Sequence, residues 1–225
     1  MKNSLNENNS KKKKSIKGNF WFEKDIDISQ IQLLQKKYDL DIVLAKILIS
    51  RDVNINKIED YFNPKIKNLL PNPSDVLDLD KATDLIVECI LKKKKIGIFG
   101  DYDVDGATST ALFGCYFKEI NSLFEYYIPD RIKEGYGPNI EAFKKLKSKG
   151  CGLILTVDCG TTSNNIIEEF NKDDTQIIII DHHQQGDELP KGCFIVNPNR
   201  LDDKSNLKNL AAVGVSFLLI ISINR

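Results

Sequence analysis

Asp101, Asp103 and Asp105 alternate along the chain and are followed by Gly106, while Asp181-His182-His183 contains both histidines of the 225 residues. Each group follows an apolar run, 96–99 and 176–180. Crowded carboxylates repel one another, which raises their pKa values or loosens the turn unless a cation holds them. Carboxylate oxygen is the donor that Mg²⁺ and Mn²⁺ prefer. An ordinary helix N-cap needs one aspartate, not three. Asp158, at the end of the run 153–157, reads equally as a helix cap or a ligand. Two adjacent histidines behind an aspartate are unusual as packing. Their side chains point in different directions, so one division of labour has His182 ligating metal through a neutral nitrogen and His183 contacting a substrate phosphate. Asp181 would then fix a histidine tautomer. Asp103, Asp105, Asp158 and His182 are the expected metal ligands, and two divalent ions among them would activate water against a phosphoester.

A third loop, 129–137, carries Arg131, Gly135, Tyr136 and Gly137 ahead of Pro138. Arg131 could hold a phosphate through two parallel hydrogen bonds, and the glycines would let backbone approach it. A plain surface turn explains the same residues.

The elements that must position these groups follow from periodicity. Runs at 96–99, 124–128, 153–157, 176–180 and 194–196 read as strands, and the segments 107–120, 138–149 and 163–171 read as amphipathic helices. Strand and helix in alternation predict an α/β fold, a parallel sheet covered on both faces, with ligands at the carboxyl ends of its strands. Residues 1–19, rich in Asn, Ser and Lys, read as a disordered leader, and 20–94 as a helical amino-terminal region. Residues 95–225 form the catalytic domain on this reading, closing on an apolar helix from Leu210.

Composition narrows the setting. Lys+Arg and Asp+Glu balance at 32 each, so nucleic-acid binding has to be argued locally. The five cysteines form no CxxC pair and are odd in number, which fits small buried fillers in a reducing cytoplasm. The basic run 11–14 precedes no apolar segment, so no export signal is read. The apolar segment 210–223 falls short of the roughly 20 residues a membrane span needs.

In this order the motifs resemble the DHH phosphoesterase superfamily and, within it, the RecJ single-stranded-DNA-specific exonucleases. The resemblance rests on Gly100-Asp101-Tyr102-Asp103-Val104-Asp105-Gly106, the 131–137 loop, Val157-Asp158-Cys159-Gly160, Asp181-His182-His183, Val196-Asn197-Pro198 and Leu210-Ala211-Ala212-Val213-Gly214-Val215. It covers roughly residues 20–222. It implies a five-stranded parallel sheet flanked by helices, with Asp103, Asp105, Asp158 and His182 ligating Mn²⁺ or Mg²⁺. Asp101, Asp181 and His183 would support catalysis, and Arg131, Gly135, Tyr136 and His183 would meet the phosphate.

The implied activity is hydrolysis of single-stranded DNA from its five-prime end to mononucleotides in recombination and repair, beside a helicase or single-strand-binding protein. The implied pattern also continues past the Leu210 helix to another metal-ligating aspartate and two further domains. The chain is therefore expected to be the amino-terminal part of a longer protein. Two alternatives stay open. One is a phosphodiesterase of short oligonucleotides or cyclic dinucleotides, whose relatives more often carry a histidine just ahead of the first aspartates, where position 99 here is Phe. The other is an inactive remnant that binds metal or nucleic acid.

Overall fold

Short side-chain caps fix where many helices start. The structure, a computed structural model, describes residues 13–21, 24–170 and 175–225. It divides into two compact units with a boundary between Leu70 and Pro71.

In the amino-terminal unit, β1 (Lys13–Lys14) pairs antiparallel with β2 (Phe20–Trp21). Of the leader expected to lack structure, residues 1–12 lie outside the described residues. Residues 13–21 instead close a small hairpin, with the Gly18 amide donating to the Ser15 carbonyl at 2.9 Å. Helices α1 (Ile28–Tyr38), α2 (Ile42–Ser50), α3 (Ile58–Phe62) and α4 (Ile66–Leu69) follow. Asp27 and Asp41 cap the first two by accepting from the Ser29 and Val43 amides. Ile31, Leu34, Ala45, Leu48 and Ile58 form this unit's own small core.

The second unit runs α5 (Leu79–Leu91), β3 (Lys95–Gly100), α6 (Val104–Glu119), β4 (Phe124–Tyr127), α7 (Arg131–Glu134), α8 (Ile140–Ser148), β5 (Cys151–Val157), α9 (Asn164–Phe170), β6 (Gln176–Ile180), β7 (Phe194–Val196) and α10 (Ala212–Ile223). Its five strands are all parallel, in the order β4-β3-β5-β6-β7. Alternate side chains leave opposite faces of a strand, and both faces here are buried. Ile96, Ile98, Leu153, Leu155, Val157, Ile178 and Ile180 pack with α5, α6 and α10, while Phe99, Ile154, Ile177 and Ile179 pack with α8 and α9. This is why the strands read as near-continuous apolar runs.

Two boundaries differ from expectation. Helix α5, assigned by periodicity to the helical region ending at residue 94, buries Leu79, Ala82, Leu85, Ile86 and Cys89 against the sheet and belongs to the sheet unit. Helix α6 starts at Val104, three residues before the expected 107, because the Asp103 side chain accepts from the Gly106 amide and caps it. Among the cysteines, Cys115 is exposed on α6 and not the buried filler that composition predicts. No helix among the described residues is long and apolar enough to cross a membrane.

Candidate metal and phosphate site

Register alone assembles the core of the site. Gly100 pairs with Val157, Val157 with Ile180, and Ile180 with Val196, so the residues that follow form one row across four strands. These are Asp101, Asp158, Asp181 and Asn197. Their backbones continue the ladder: the Asp101 amide donates to the Val157 carbonyl at 3.3 Å, Asp158 to Ile180 at 2.9 Å, and Asp181 to Val196 at 3.1 Å. Neighbouring strands lie about 4.8 Å apart, so three carboxylates stand side by side. All three are 1% exposed. The row lies at the strands' carboxyl ends, beside the point between β3 and β5 where successive connections leave in opposite directions, the usual ligand crevice of such sheets.

The aspartates differ in what satisfies them. Asp181 accepts from the Thr161 amide at 3.1 Å, from the His182 and His183 amides at 2.7 and 3.1 Å, and from His183 Nδ1 at 2.7 Å. Burial alone would raise its pKa, but the hydrogen bonds from His183 and Thr161 outweigh that and hold it at about 2. Reciprocally, the bond to Asp181 lifts His183 to about 9 against the opposing effect of burial. Asp158 accepts no hydrogen bond on either carboxylate oxygen, with His182 Nε2 lying 3.2 Å from Oδ1. Burial, then the neighbouring Asp103, pushes it up to about 8. As carboxylates the two share no proton; neutralised, Asp158 can donate to Asp103. Burial also raises the Asp101 carboxyl, opposed by the Tyr102 amide that donates to Oδ1 at 2.8 Å, and its Oδ2 has no partner. Asp103 is held low by the Gly106 amide, against a smaller effect of burial.

These groups converge. Ligand atoms of Asp101, Asp103 and Asp158 lie within 4.8 Å of one another, as do those of Asp158, His182 and His183. His182 Nε2 is 3.2 Å from Asp158 Oδ1 and 3.7 Å from Asp105 Oδ2. Asp158 is common to both groups; Asp103 and His182 fall one in each, Asp105 belongs to neither and approaches only His182, while Asp101 and His183, read as supporting groups, stand among the candidate ligands. The turn has no room for a larger residue at Gly106, where a Cβ would lie 2.4 Å from the Asp101 carbonyl oxygen.

The 129–137 loop forms a rim. The Arg131 guanidinium sits 5.0 Å from the Tyr102 ring centroid, Tyr102 meets Tyr136 edge to face, and Tyr136 meets the His183 ring likewise. The Tyr136 hydroxyl is 3.4 Å from His183 Nε2. Burial and the surrounding carboxylates push the Tyr136 phenol up, so it stays protonated. Gly135 and Gly137, at φ 81° and 80°, take the left-handed backbone that bends this loop.

Sequence reasoning gave no role to the turn after β7. Asn197 donates to Thr161 Oγ1 and to the His183 carbonyl, both at 2.9 Å, and Asn199 donates to the His182 carbonyl. The Val196-Asn197-Pro198 motif was the only signal available, and it names no partner.

Residues 95–224 match the model described as "DHH family, N-terminal domain". The chain belongs to the DHH family. Relatives of this DHH domain include the single-stranded-DNA-specific exonuclease RecJ of Bacillus subtilis (strain 168), 34% identical over 193 residues that make up 86% of this chain and 25% of the relative. The RecJ of Escherichia coli (strain K12) is 32% identical over 203 residues, 86% of this chain and 34% of that one. Among solved structures, exonuclease RecJ bound to manganese superposes with a TM-score of 0.60 at 32% identity, over 66% of this chain and 38% of its own. RecJ in complex with Mn²⁺ from Thermus thermophilus gives 0.70 at 26% identity, over 88% and 27%. The DHH chain thus spans between 25% and 34% of the length of these two curated relatives.

Proposed function

We propose that this DHH domain is the catalytic core of a Mn²⁺- or Mg²⁺-dependent exonuclease that hydrolyses single-stranded DNA from its five-prime end to mononucleotides. The observation that carries the reading is Asp158: a fully buried carboxylate with both oxygens unpartnered, facing Asp103 and His182. Buried polar groups without partners are rare and call for an ion or a water. The donor set, carboxylate oxygens with imidazole nitrogen, fits Mn²⁺ and Mg²⁺.

Asp103, Asp105, Asp158 and His182, with Asp101 beside them, would hold the metal. Once bound, a divalent cation lowers the pKa of a coordinated water and stabilises the charge that develops on the phosphate. The chain's own groups do the rest. Asp181 keeps His183 protonated on Nδ1 and turns Nε2 toward the Tyr136 hydroxyl at the mouth of the cleft. A protonated His183 would offer an N–H to a phosphate oxygen, and Arg131, braced on Tyr102, would supply a second, two-pronged donor. Tyr136 presents a ring on which a base of the strand can stack. The reading extends to recombination and repair as the setting, to a helicase or single-strand-binding protein as partner, and to the cytoplasm, for which five cysteines without a disulfide are the support.

Incubation of five-prime-labelled single-stranded DNA with this chain and Mn²⁺ is expected to release labelled mononucleotide, and Asp105→Ala is expected to abolish the release. Cleavage confined to dinucleotides or cyclic dinucleotides would favour the phosphodiesterase alternative. Metal binding with no hydrolysis at all would favour the inactive one.

A further inference from the structure

The edge of the sheet at β7 is closed by side chains, not by another strand. Arg200 is 8% exposed, and Nη1 donates to Asp78 Oδ2 at 2.7 Å and to the Ile195 carbonyl at 2.8 Å. Its Nε and Nη2 donate to Asp202 at 2.9 and 2.7 Å. Asp78 Oδ2 also lies 3.5 Å from the Ile195 amide. The ion pair therefore faces both free backbone groups of Ile195 in the middle strand position, where a sixth strand would otherwise donate and accept. Asp78 belongs to the segment leading into α5, 122 positions away from Arg200.

The same guanidinium anchors the far end of the turn that grips the histidines. Between β7 and Arg200 lie only Asn197, Pro198 and Asn199. The Asn199 amide donates to Asn197 Oδ1 at 2.8 Å and the Arg200 amide to the Asn197 carbonyl at 3.2 Å, which locks the turn internally. From it the two side-chain amides reach across to the carbonyls of His183 and His182. The Leu201 amide adds a tie to Gln185 Oε1 at 2.9 Å on the histidine loop. The histidines thus hang between Asp181 on their amide side and the Asn197–Asn199 pair on their carbonyl side.

We propose that Arg200 and Asp78 are positioning residues for His182 and His183: by pinning the 197–200 turn to the helix α5 segment, they fix the backbone from which both rings project. Breaking a buried pair leaves an uncompensated charge, so the turn rearranges to reach water. The expected loss is local because the turn is a short segment outside the strands, tied to the histidine loop by hydrogen bonds. The role rests on the metal-site reading for its consequence, but not for its test.

Amide hydrogen exchange on the metal-free chain reads it directly. In Arg200→Gln the His182 and His183 amides, which donate to Asp181, are expected to exchange about tenfold faster relative to the Ile179 amide of β6, and Mn²⁺ affinity to fall by about the same factor. Phe143→Leu, a core change on the opposite face, serves as a control of comparable global destabilisation and is expected to move all three amides together. Should Arg200→Gln not fold, Asp78→Asn keeps the shape, weakens only the pair and carries the same expectation. Acceleration at His182 and His183 no greater than at Ile179 would overturn the positioning role. Selective acceleration with no DNA hydrolysis by the wild-type chain would leave it standing and refute the nuclease reading alone.

Discussion

At the ends of two adjacent strands, Asp158 on β5 and Asp181 on β6 are equally buried, yet burial has opposite outcomes for them. Asp181 collects two amides of its own loop, the Thr161 amide and an imidazole N–H, and is held ionised at about 2. Asp158, one strand spacing away, collects none and is pushed up to about 8. Desolvation penalises both charges, so the difference lies in donors and neighbouring charges: the bonds from His183 and Thr161 and the His183 charge lower Asp181, while Asp103 raises Asp158. A carboxylate that the protein satisfies is scaffold: it orders the histidine loop. On the proposed reading, a carboxylate left unsatisfied in the same row is an acceptor that a divalent cation would complete. The site is thus built half as a rigid frame and half as a receptor, and the division falls between neighbouring strands.

The strongest break in this comparison is Asp158→Asn. Mn²⁺ affinity measured by calorimetry is expected to fall by about a hundredfold or more, while metal-free stability at pH 4, where Asp158 is neutral in the fold, changes by less than about 1 kcal/mol, since an amide suits an uncharged site. Asp181→Asn should reverse the pattern. Urea unfolding is expected to show a loss of about 2–3 kcal/mol, because a charged acceptor for four donors is gone. A stable Asp181→Asn protein, or an Asp158→Asn protein that unfolds, would erase the distinction between frame and receptor.

Acidity separates the two residues by sign. Asp181 lies below its ordinary value of 3.8, so its contribution is present above that pH and is lost as pH falls toward about 2, a matter of roughly 2 kcal/mol. Asp158 lies above 3.8, so its contribution is present below that pH and is lost as pH rises through about 8. Denaturant unfolding of the metal-free chain from pH 4 to 8 is expected to show a downward component that Asp158→Asn removes and saturating Mn²⁺ offsets. The smallest effect belongs to Tyr136→Phe. Its hydroxyl touches His183 only at 3.4 Å, beside the much shorter bond to Asp181. Metal affinity is expected to change by less than about twofold, and a larger change would show that the rim, too, belongs to the frame.

All five sheet strands were legible in advance, with ends within two residues: β3, β5, β6 and β7 because strands buried on both faces are near-continuous apolar runs, and edge strand β4, with Glu125 and an exposed Tyr126, by its strand-favouring aromatics. The site was legible as residue types for the same reason: charges directly after such runs have no local explanation. Helix α5 was misplaced because amphipathic periodicity tells that a face is buried, not against what. Asn197, Asn199, Arg200 and Asp78 could be given no role from sequence because the contacts that define it, to His183, His182 and between Arg200 and Asp78, span 14 to 122 positions and carry no period.

The sequence alone determined the parallel α/β class and the aspartates and histidines that end its strands, since both follow from short-range pattern and charge. Only the tertiary structure decided which carboxylate is satisfied. Asp101, Asp158, Asp181 and Asn197 fall into one row because the strands pair in register; three donors to Asp181 come from its own His182-His183 turn, and register brings the loop that supplies the fourth, the Thr161 amide, beside it. Charge type is a property of a residue; its pKa, and so its task, is a property of the donors around it.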